Sequence, residues 1–210
     1  MLRPVIVGVL SRAILGAMFA IIALVQFLSA VRADAWAVRM HQGLSAILWT
    51  MFAVLVVIRP VPIHRASSRV GIVVALGAQS GALLLGVVAH RTDSGAPLAA
   101  GTVLLASGLL FAIASVAFLG RCFGVLPDVR GLVTRGPYSI VRHPLYLGEL
   151  TALLGVAVGT GQWQTALAIW VITLLLQLAR TRYEEQSLRH VFPEYASYAE
   201  RTKRLIPGVV

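Results

Sequence analysis

Apolar residues run through this chain in long unbroken stretches, without the strict alternation of a half-buried strand. The first covers about Ala13 to Val31, the second Gly43 to Ile58, the third Val70 to Ala89 and the fourth Leu98 to Leu119. A helix needs roughly 18 to 20 apolar residues to cross a hydrocarbon layer about 30 Å thick, so each stretch predicts a membrane span. Arg59-Pro60-Val61-Pro62 stops the second, because proline lacks the amide hydrogen that continues a helix. Gly71, Gly77, Gly81 and Gly86 recur along the third and predict close helix contacts. A further apolar region, Leu145 to Ala179, is broken at Gly159-Thr160-Gly161-Gln162 into arms of about 14 and 17 residues. Arms that short predict a helical hairpin that leaves and re-enters one membrane face. The expected fold class is therefore all-α: a polytopic transmembrane helical bundle of about five to six membrane segments, the last two a hairpin. Residues 1–120 supply the N-terminal helices, and 121–210 a polar loop, the hairpin and an amphipathic tail.

Composition sharpens the picture. Of 210 residues 58% are hydrophobic and only 12% charged, well below the quarter or so of a soluble domain, which excludes a water-soluble protein. A membrane barrel is excluded too, since its strands alternate in segments of about ten residues. The formal charge of +10 raises nucleic acid as a partner, but the basic residues are scattered over loops and helix ends and line no single face. Topology accounts for them. Fifteen of the eighteen fall at the N-terminus, in the second and fourth connections and in the tail, against three (Arg32, Arg39 and Arg91) on the opposite side. The positive-inside rule then predicts a cytoplasmic N-terminus, 121–144 loop and C-terminal tail. The first span is too long for a signal-peptide core and is expected to be retained. An Arg-rich, Lys-poor, Ala/Val/Gly-rich composition suggests a bacterial inner membrane. Cys122 is the single cysteine, which rules out an internal disulfide and, with no metal-ligand spacing elsewhere, leaves it as apolar filler.

What lipid does not explain is the polar cluster at the edge of the last spans. Arg142-His143-Pro144-Leu145-Tyr146-Leu147-Gly148 opens the hairpin, and Glu184-Glu185 follows its second arm, which the topology returns to the same face. Arg180 and Glu184, four apart, share a helix face. Taken singly these are surface ion pairs and interfacial anchors. Taken together with Tyr138 and Tyr183 they predict one pocket. Pro144 fits the first turn of a helix, where its missing donor is no loss. Phe192-Pro193-Glu194-Tyr195 predicts a bend between two tail helices, with Tyr195 and Tyr198 as packing residues.

Three segments then carry a resemblance: Leu132-Val133-Thr134-Arg135-Gly136-Pro137-Tyr138, Arg142 to Gly148, and Glu184-Glu185 with Leu188, Phe192, Tyr195, Tyr198 and Arg204-Leu205-Ile206-Pro207-Gly208. In order and spacing, about the last ninety residues closely resemble the isoprenylcysteine carboxyl methyltransferase family. The resemblance implies an integral-membrane methyltransferase using S-adenosylmethionine, with a cofactor pocket built by loop and tail; the chain has no glycine-rich dinucleotide fingerprint. It implies cofactor contacts from Tyr138, Arg142, His143, Tyr146, Leu147, Glu184 and Glu185. Carboxylates can accept from ribose hydroxyls or the methionyl ammonium, Arg or His can hold the methionyl carboxylate, and Tyr with Leu can enclose adenine. The implied acceptor is lipophilic, a small molecule or prenylated substrate from the bilayer, with carboxyl O-methylation expected. A carboxylate acceptor needs a cation, for which Arg180 and Arg142 are the candidates; an amine acceptor needs a carboxylate such as Glu184 to take its proton. Glu149, directly after Gly148, sits where the eukaryotic enzymes often carry an apolar or aromatic residue. Arg-His-Pro-x-Tyr-x-Gly-Glu is also similar to membrane sterol reductases, which bind NADPH.

Overall fold

The computed structural model describes residues 2–65, 68–90, 99–159 and 163–206, with side chains described outside 2–9 and 82–90. Seven α-helices lie among them: α1 (Leu2–Arg32), α2 (Trp36–Ile58), α3 (Arg69–His90), α4 (Ala99–Leu119), α5 (Pro144–Gly159), α6 (Trp163–Val191) and α7 (Tyr195–Arg201). Among the described residues there is no sheet, only two isolated bridging pairs, His64 with Val129 and Val141 with Lys203. Four helices, Leu10–Arg32, Trp36–Ile58, Ala99–Cys122 and Trp163–Val191, are long and apolar enough to cross a membrane. The protein is an all-α integral membrane bundle, as its apolar runs predict.

The differences from expectation lie at helix ends. α2 begins at Trp36 instead of Gly43: the polar first turns are already helical, and Arg39 among them donates from Nη2 to the Ala33 carbonyl just before the helix. α1 likewise starts well before Ala13. The larger difference is α6. The second arm of the hairpin does not stop near Ala179 but continues to Val191, a helix of 29 residues and about 44 Å at 1.5 Å per residue. Its apolar part lies against α3 and α5, and its charged part packs against the end of α3, the loop before α5 and the tail. α5, at 16 residues, covers only about 24 Å and is the short arm the sequence implies.

Helices pack in pairs: α1 on α2, α4 on α5 and α3 on α6, with α2 joining the first two pairs through α4. Glycine sets the last two contacts. On α3, a side chain at Gly71 would press on the Tyr183 ring, at Gly77 it would touch Leu176, and at Gly81 it would collide with Thr173, so the glycine face read from the sequence is the surface that receives α6. Gly86 lies where side chains are not described. Between α4 and α5 the approach is closer still: a Cβ on Gly148 would lie 2.7 Å from the Ala112 amide nitrogen, and one on Gly108 would run into the Ala152 backbone. Gly101 and Gly108 on α4 face Gly155 and Gly148 on α5, each pair seven residues apart in sequence. Small residues let two helix backbones meet where no hydrophobic effect drives them together. α1 and α2 use aromatic bulk instead, with Phe19, Trp49 and Phe52 in mutual ring contact. Phe52 also stacks on Phe123 at 4.6 Å, fastening the α4–α5 loop to the bundle.

Candidate active site

The α4–α5 loop is shaped by glycine at one tight corner. Gly136 has φ of +62°, and a side chain there would also strike the Phe118 ring. The short 3₁₀ turn that follows, Gly136–Ser139, presents Tyr138, buried, toward the end of α6. At the loop's other end Val129 exchanges backbone hydrogen bonds with His64, 2.9 Å from its amide to the His64 carbonyl. After α7 the chain runs alongside the entry to α5: the amides of Arg142 and His143 donate to the carbonyls of Lys203 and Arg204 at 2.8 and 3.0 Å. The closing Arg204-Leu205 segment is thus a strap that fixes the residues before Pro144; Leu205 is buried in the core, and Pro207 and Gly208 lie outside the described residues. Pro144 opens α5, and 192–194 bends the chain between α6 and α7, as their sequences predict.

Glu184 and Glu185 are neighbours in sequence and opposites in role. Glu185 is buried behind the wall. Its Oε1 accepts from Arg142 Nε at 2.9 Å and Arg204 Nε at 3.0 Å and lies 3.3 Å from His143 Nε2, while Oε2 accepts from Arg204 Nη2 at 2.9 Å. Two guanidiniums on one buried carboxylate is a satisfied cluster. Arg142 also donates from Nη1 to the Ala199 carbonyl at 2.7 Å and to that of Thr202. Glu184 Oε1 accepts from Tyr146 Oη at 2.6 Å and Arg180 Nε at 3.0 Å, and Oε2 lies 3.7 Å from His143 Nδ1. The Tyr146 ring is stacked between His143, 5.5 Å away and nearly parallel, and the Arg180 guanidinium, 4.7 Å from its centroid. Arg180 is itself buried and gives Nη2 to the Val125 carbonyl at 2.8 Å.

These walls enclose a cleft with about 770 Å³ of empty space, open solvent included. Tyr138, Arg142, His143, Tyr146 and Glu184 line it; Leu147, Arg180 and Glu185 do not. Leu147 packs on the hydrophobic core, and the other two support the lining residues from behind. The loop adds a group that sequence reasoning counted only as a topological charge. Arg130 lines the cleft, is buried, and pairs with Asp128 through Nη2 at 3.1 Å, yet among the described residues its Nε and Nη1 have no hydrogen-bond partner. Its Nη1 occupies the space that a side chain at Gly124 would fill. Asp128-x-Arg130 was the only hint of it in the sequence. Cys122, read as filler, also lines this cleft.

Burial pushes both cleft tyrosines of the loop and tail upward: Tyr138 well above its ordinary value, and Tyr198 to about 12, with Glu185 adding to the effect and Arg142 opposing it. Both stay neutral. Tyr198 donates its hydroxyl to the Tyr138 carbonyl at 2.6 Å, so the tail tyrosine holds the loop tyrosine in place.

Apolar helices long enough to cross a membrane, with a polar-lined cleft at their end, define a class: polytopic integral membrane proteins. Comparison with known proteins specifies it. Residues 96–195 match the sequence model of the phospholipid methyltransferase family. A cobalt-zinc-cadmium resistance protein of Cupriavidus metallidurans is 40% identical over 76 residues, 36% of this chain and 35% of that protein. Protein-S-isoprenylcysteine O-methyltransferases A and B of Arabidopsis thaliana are each 31% identical over 115 residues, 52% of this chain and 58% of theirs. The matched region thus spans about a third of the metal-resistance relative and little more than half of the plant enzymes. The C-terminal half of the chain, from just before α4 to the start of α7, is thus similar to membrane methyltransferases of the phospholipid and isoprenylcysteine types. Among the described residues no three His, Cys, Asp or Glu side chains gather as a metal-binding set.

Proposed function

We propose that this protein is an S-adenosylmethionine-dependent methyltransferase acting on a lipophilic acceptor that reaches the cleft from the bilayer. The observation that carries the reading is Arg130. A buried guanidinium that lines a cleft and has two nitrogens without a partner among the described residues is costly unless a ligand anion meets it, and the methionyl carboxylate is such an anion. The other linings fit the rest of the cofactor. Tyr138 and Tyr146 with Leu132 offer aromatic and apolar surface to adenine, and Glu184 Oε2, paired only distantly with His143, can accept from a ribose hydroxyl or the methionyl ammonium. When bound, the cofactor supplies an electrophilic methyl group on a sulfonium; the protein's task is to align the acceptor and exclude water.

Carboxyl O-methylation, implied by the resemblance, asks for a guanidinium with donors to spare. Arg142 has given Nε and Nη1 to the Glu185 cluster and the tail, whereas Arg180 retains an unpartnered Nη1. A second reading, transfer to an amine, is supported by Glu184, whose carboxylate already holds Tyr146 and Arg180 at the cleft edge. The loop and tail are proposed to face the cytoplasm on the charge asymmetry of the connections.

Calorimetry on detergent-purified protein tests the cofactor. S-adenosylhomocysteine is expected to bind and NADPH not to; NADPH binding alone would instead support a reductase. Arg130→Gln is expected to weaken S-adenosylhomocysteine about ten-fold, the worth of a charge-assisted hydrogen bond, while leaving 5′-methylthioadenosine, which lacks the carboxylate, unaffected. Equal losses for both would remove Arg130 from the carboxylate site.

A further inference from the structure

Outside the cofactor cleft, and sharing Pro127 with it as a wall, lies a second hollow with about 490 Å³ of empty space, open solvent included. The connection between α2 and α3 lines one side with His64 and Ser68, and α6 lines the other with Tyr183, Gln186, Ser187 and His190. Steps of three, one and three residues put those four α6 positions on one helix face. The two imidazoles meet across the hollow, with ring centroids 5.2 Å apart and planes inclined at 55°. That contact is the one side-chain interaction the structure gives either ring among the described residues.

Ring contact alone allows centroid separations of about 4.5 to 7 Å. A shared metal ion is more exacting. An ion such as zinc sits about 2.1 Å from each imidazole nitrogen, hence about 3.2 Å from each ring centre, and two rings at the tetrahedral angle then have centroids about 5.3 Å apart. His64 and His190 already stand at 5.2 Å. The lining also selects the kind of ion. It offers imidazole nitrogen, hydroxyl oxygen and amide oxygen but no carboxylate, which suits Zn²⁺, Cu²⁺ or Ni²⁺ and not Ca²⁺ or Mg²⁺. Asp128, which follows Pro127, is bonded to Arg130. An anion finds less here. The first amides of α3 are engaged, that of Gly71 by Ser68 Oγ at 3.1 Å and that of Ile72 by the Ser68 carbonyl. Arg65, Arg69 and Arg189 are near in sequence, but none lines the hollow, and the Arg189 guanidinium lies over the Tyr195 ring, 6.0 Å from its centroid.

We propose that His64 and His190 form a binding site for a divalent transition-metal ion of the zinc, copper or nickel kind, with Ser187, Gln186 or water completing the coordination. The site stands independently of the methyltransferase reading, and its ion is a brace and takes no part in the chemistry. His64 and Val129 exchange backbone hydrogen bonds, and Val129 precedes Arg130, whose side chain lines the cleft. An ion held by both imidazoles therefore ties the α2–α3 connection to the charged end of α6 and, through His64, steadies the loop that carries Arg130. With two protein ligands in place of the four of a closed structural site, the ion exchanges with solution.

Calorimetry with zinc chloride on the full, untagged chain in detergent, stripped beforehand with a chelator, tests the site. One equivalent of zinc is expected to bind in the micromolar range, undisturbed by an excess of Mg²⁺, and to raise the thermal unfolding midpoint. His64→Gln and His190→Gln each leave a single imidazole and are expected to weaken zinc about ten-fold or more and to abolish the rise in midpoint. His64 is half-buried and His190 exposed, so both variants are expected to fold, which unchanged circular dichroism without zinc checks. A native chain that binds no zinc, or zinc bound equally by the native chain and both variants, would overturn the proposal. So would a loss confined to one variant, because the ion would then lie elsewhere than between the two rings.

Discussion

At the scale of single residues, the adjacent glutamates divide between lining the cleft and supporting its wall. Glu185 holds Arg142, Arg204 and the His143 ring, so that two separate parts of the chain, the entry to α5 and the segment after α7, depend on it. Glu185→Ala leaves two guanidiniums without their buried carboxylate and is expected to destabilise the protein by about 3–5 kcal/mol, seen as a large fall in the detergent unfolding midpoint. Glu184→Gln keeps that cluster. Its expected signature is weaker S-adenosylhomocysteine binding with the midpoint nearly unmoved, and the reverse pattern would exchange the two roles. The tail tyrosine adds a pH dependence. Tyr198 titrates near 12 in the folded protein and near 10 when unfolded, so the folded state holds its proton more tightly. Its contribution is complete below about pH 10 and is lost as pH rises toward 12. Tyr198→Phe, which also gives up the bond to the Tyr138 carbonyl, is expected to flatten that alkaline loss in a thermal series from pH 9 to 12.

At the scale of elements, backbone contact between α4 and α5 positions the motif. Gly148 stands in the Arg142 to Gly148 run not as a ligand contact but because Ala112 and Gly108 of α4 leave no room for a side chain. Gly108→Val is expected to cost about 1–3 kcal/mol or more by overpacking, whereas Gly43→Ala on α2, with nothing within 4 Å, is expected to be neutral or mildly stabilising. Paired unfolding curves decide between them, and equal effects would argue against the glycine contact. Much of this architecture was legible in sequence: the apolar runs, the Pro60 stop, the Pro144 start, the α3 glycines and the hairpin break all show local chemistry. The extension of α6 was not, because charged residues after Ala179 look like the end of a span, although helix propagation does not require lipid. Nor was the α4–α5 glycine contact, whose signal is the match between two separated seven-residue spacings. The site follows the same division. Tyr138, Arg142, His143, Tyr146 and Glu184 meet as their shared membrane face suggested, but Arg130 was hidden because a loop arginine in a basic protein carries no mark of burial.

At the scale of the whole molecule, the cleft closes only because the chain returns to it last. The amides of Arg142 and His143 are bonded to the segment after α7, and Leu205 is seated in the core shared with α2, α4 and α5. Ending the chain at Arg201 removes this strap and Arg204 together. The expected outcome is a protein that still inserts and purifies with its helical circular dichroism largely intact but no longer binds S-adenosylhomocysteine; retained binding would show that the strap is dispensable. The same dependence applies to α6, which is a single rod from the apolar hairpin to the carboxylate pair. Each residue on such a rod turns the next by 100° and lifts it 1.5 Å. Glu184 faces the cleft, and Glu185 the arginines, only at one rotational phase. The number of residues between the hairpin turn and the glutamates is therefore as much a determinant of the site as their identity: one residue more would swing the carboxylates away from their partners, and four more would nearly restore their direction at the wrong height.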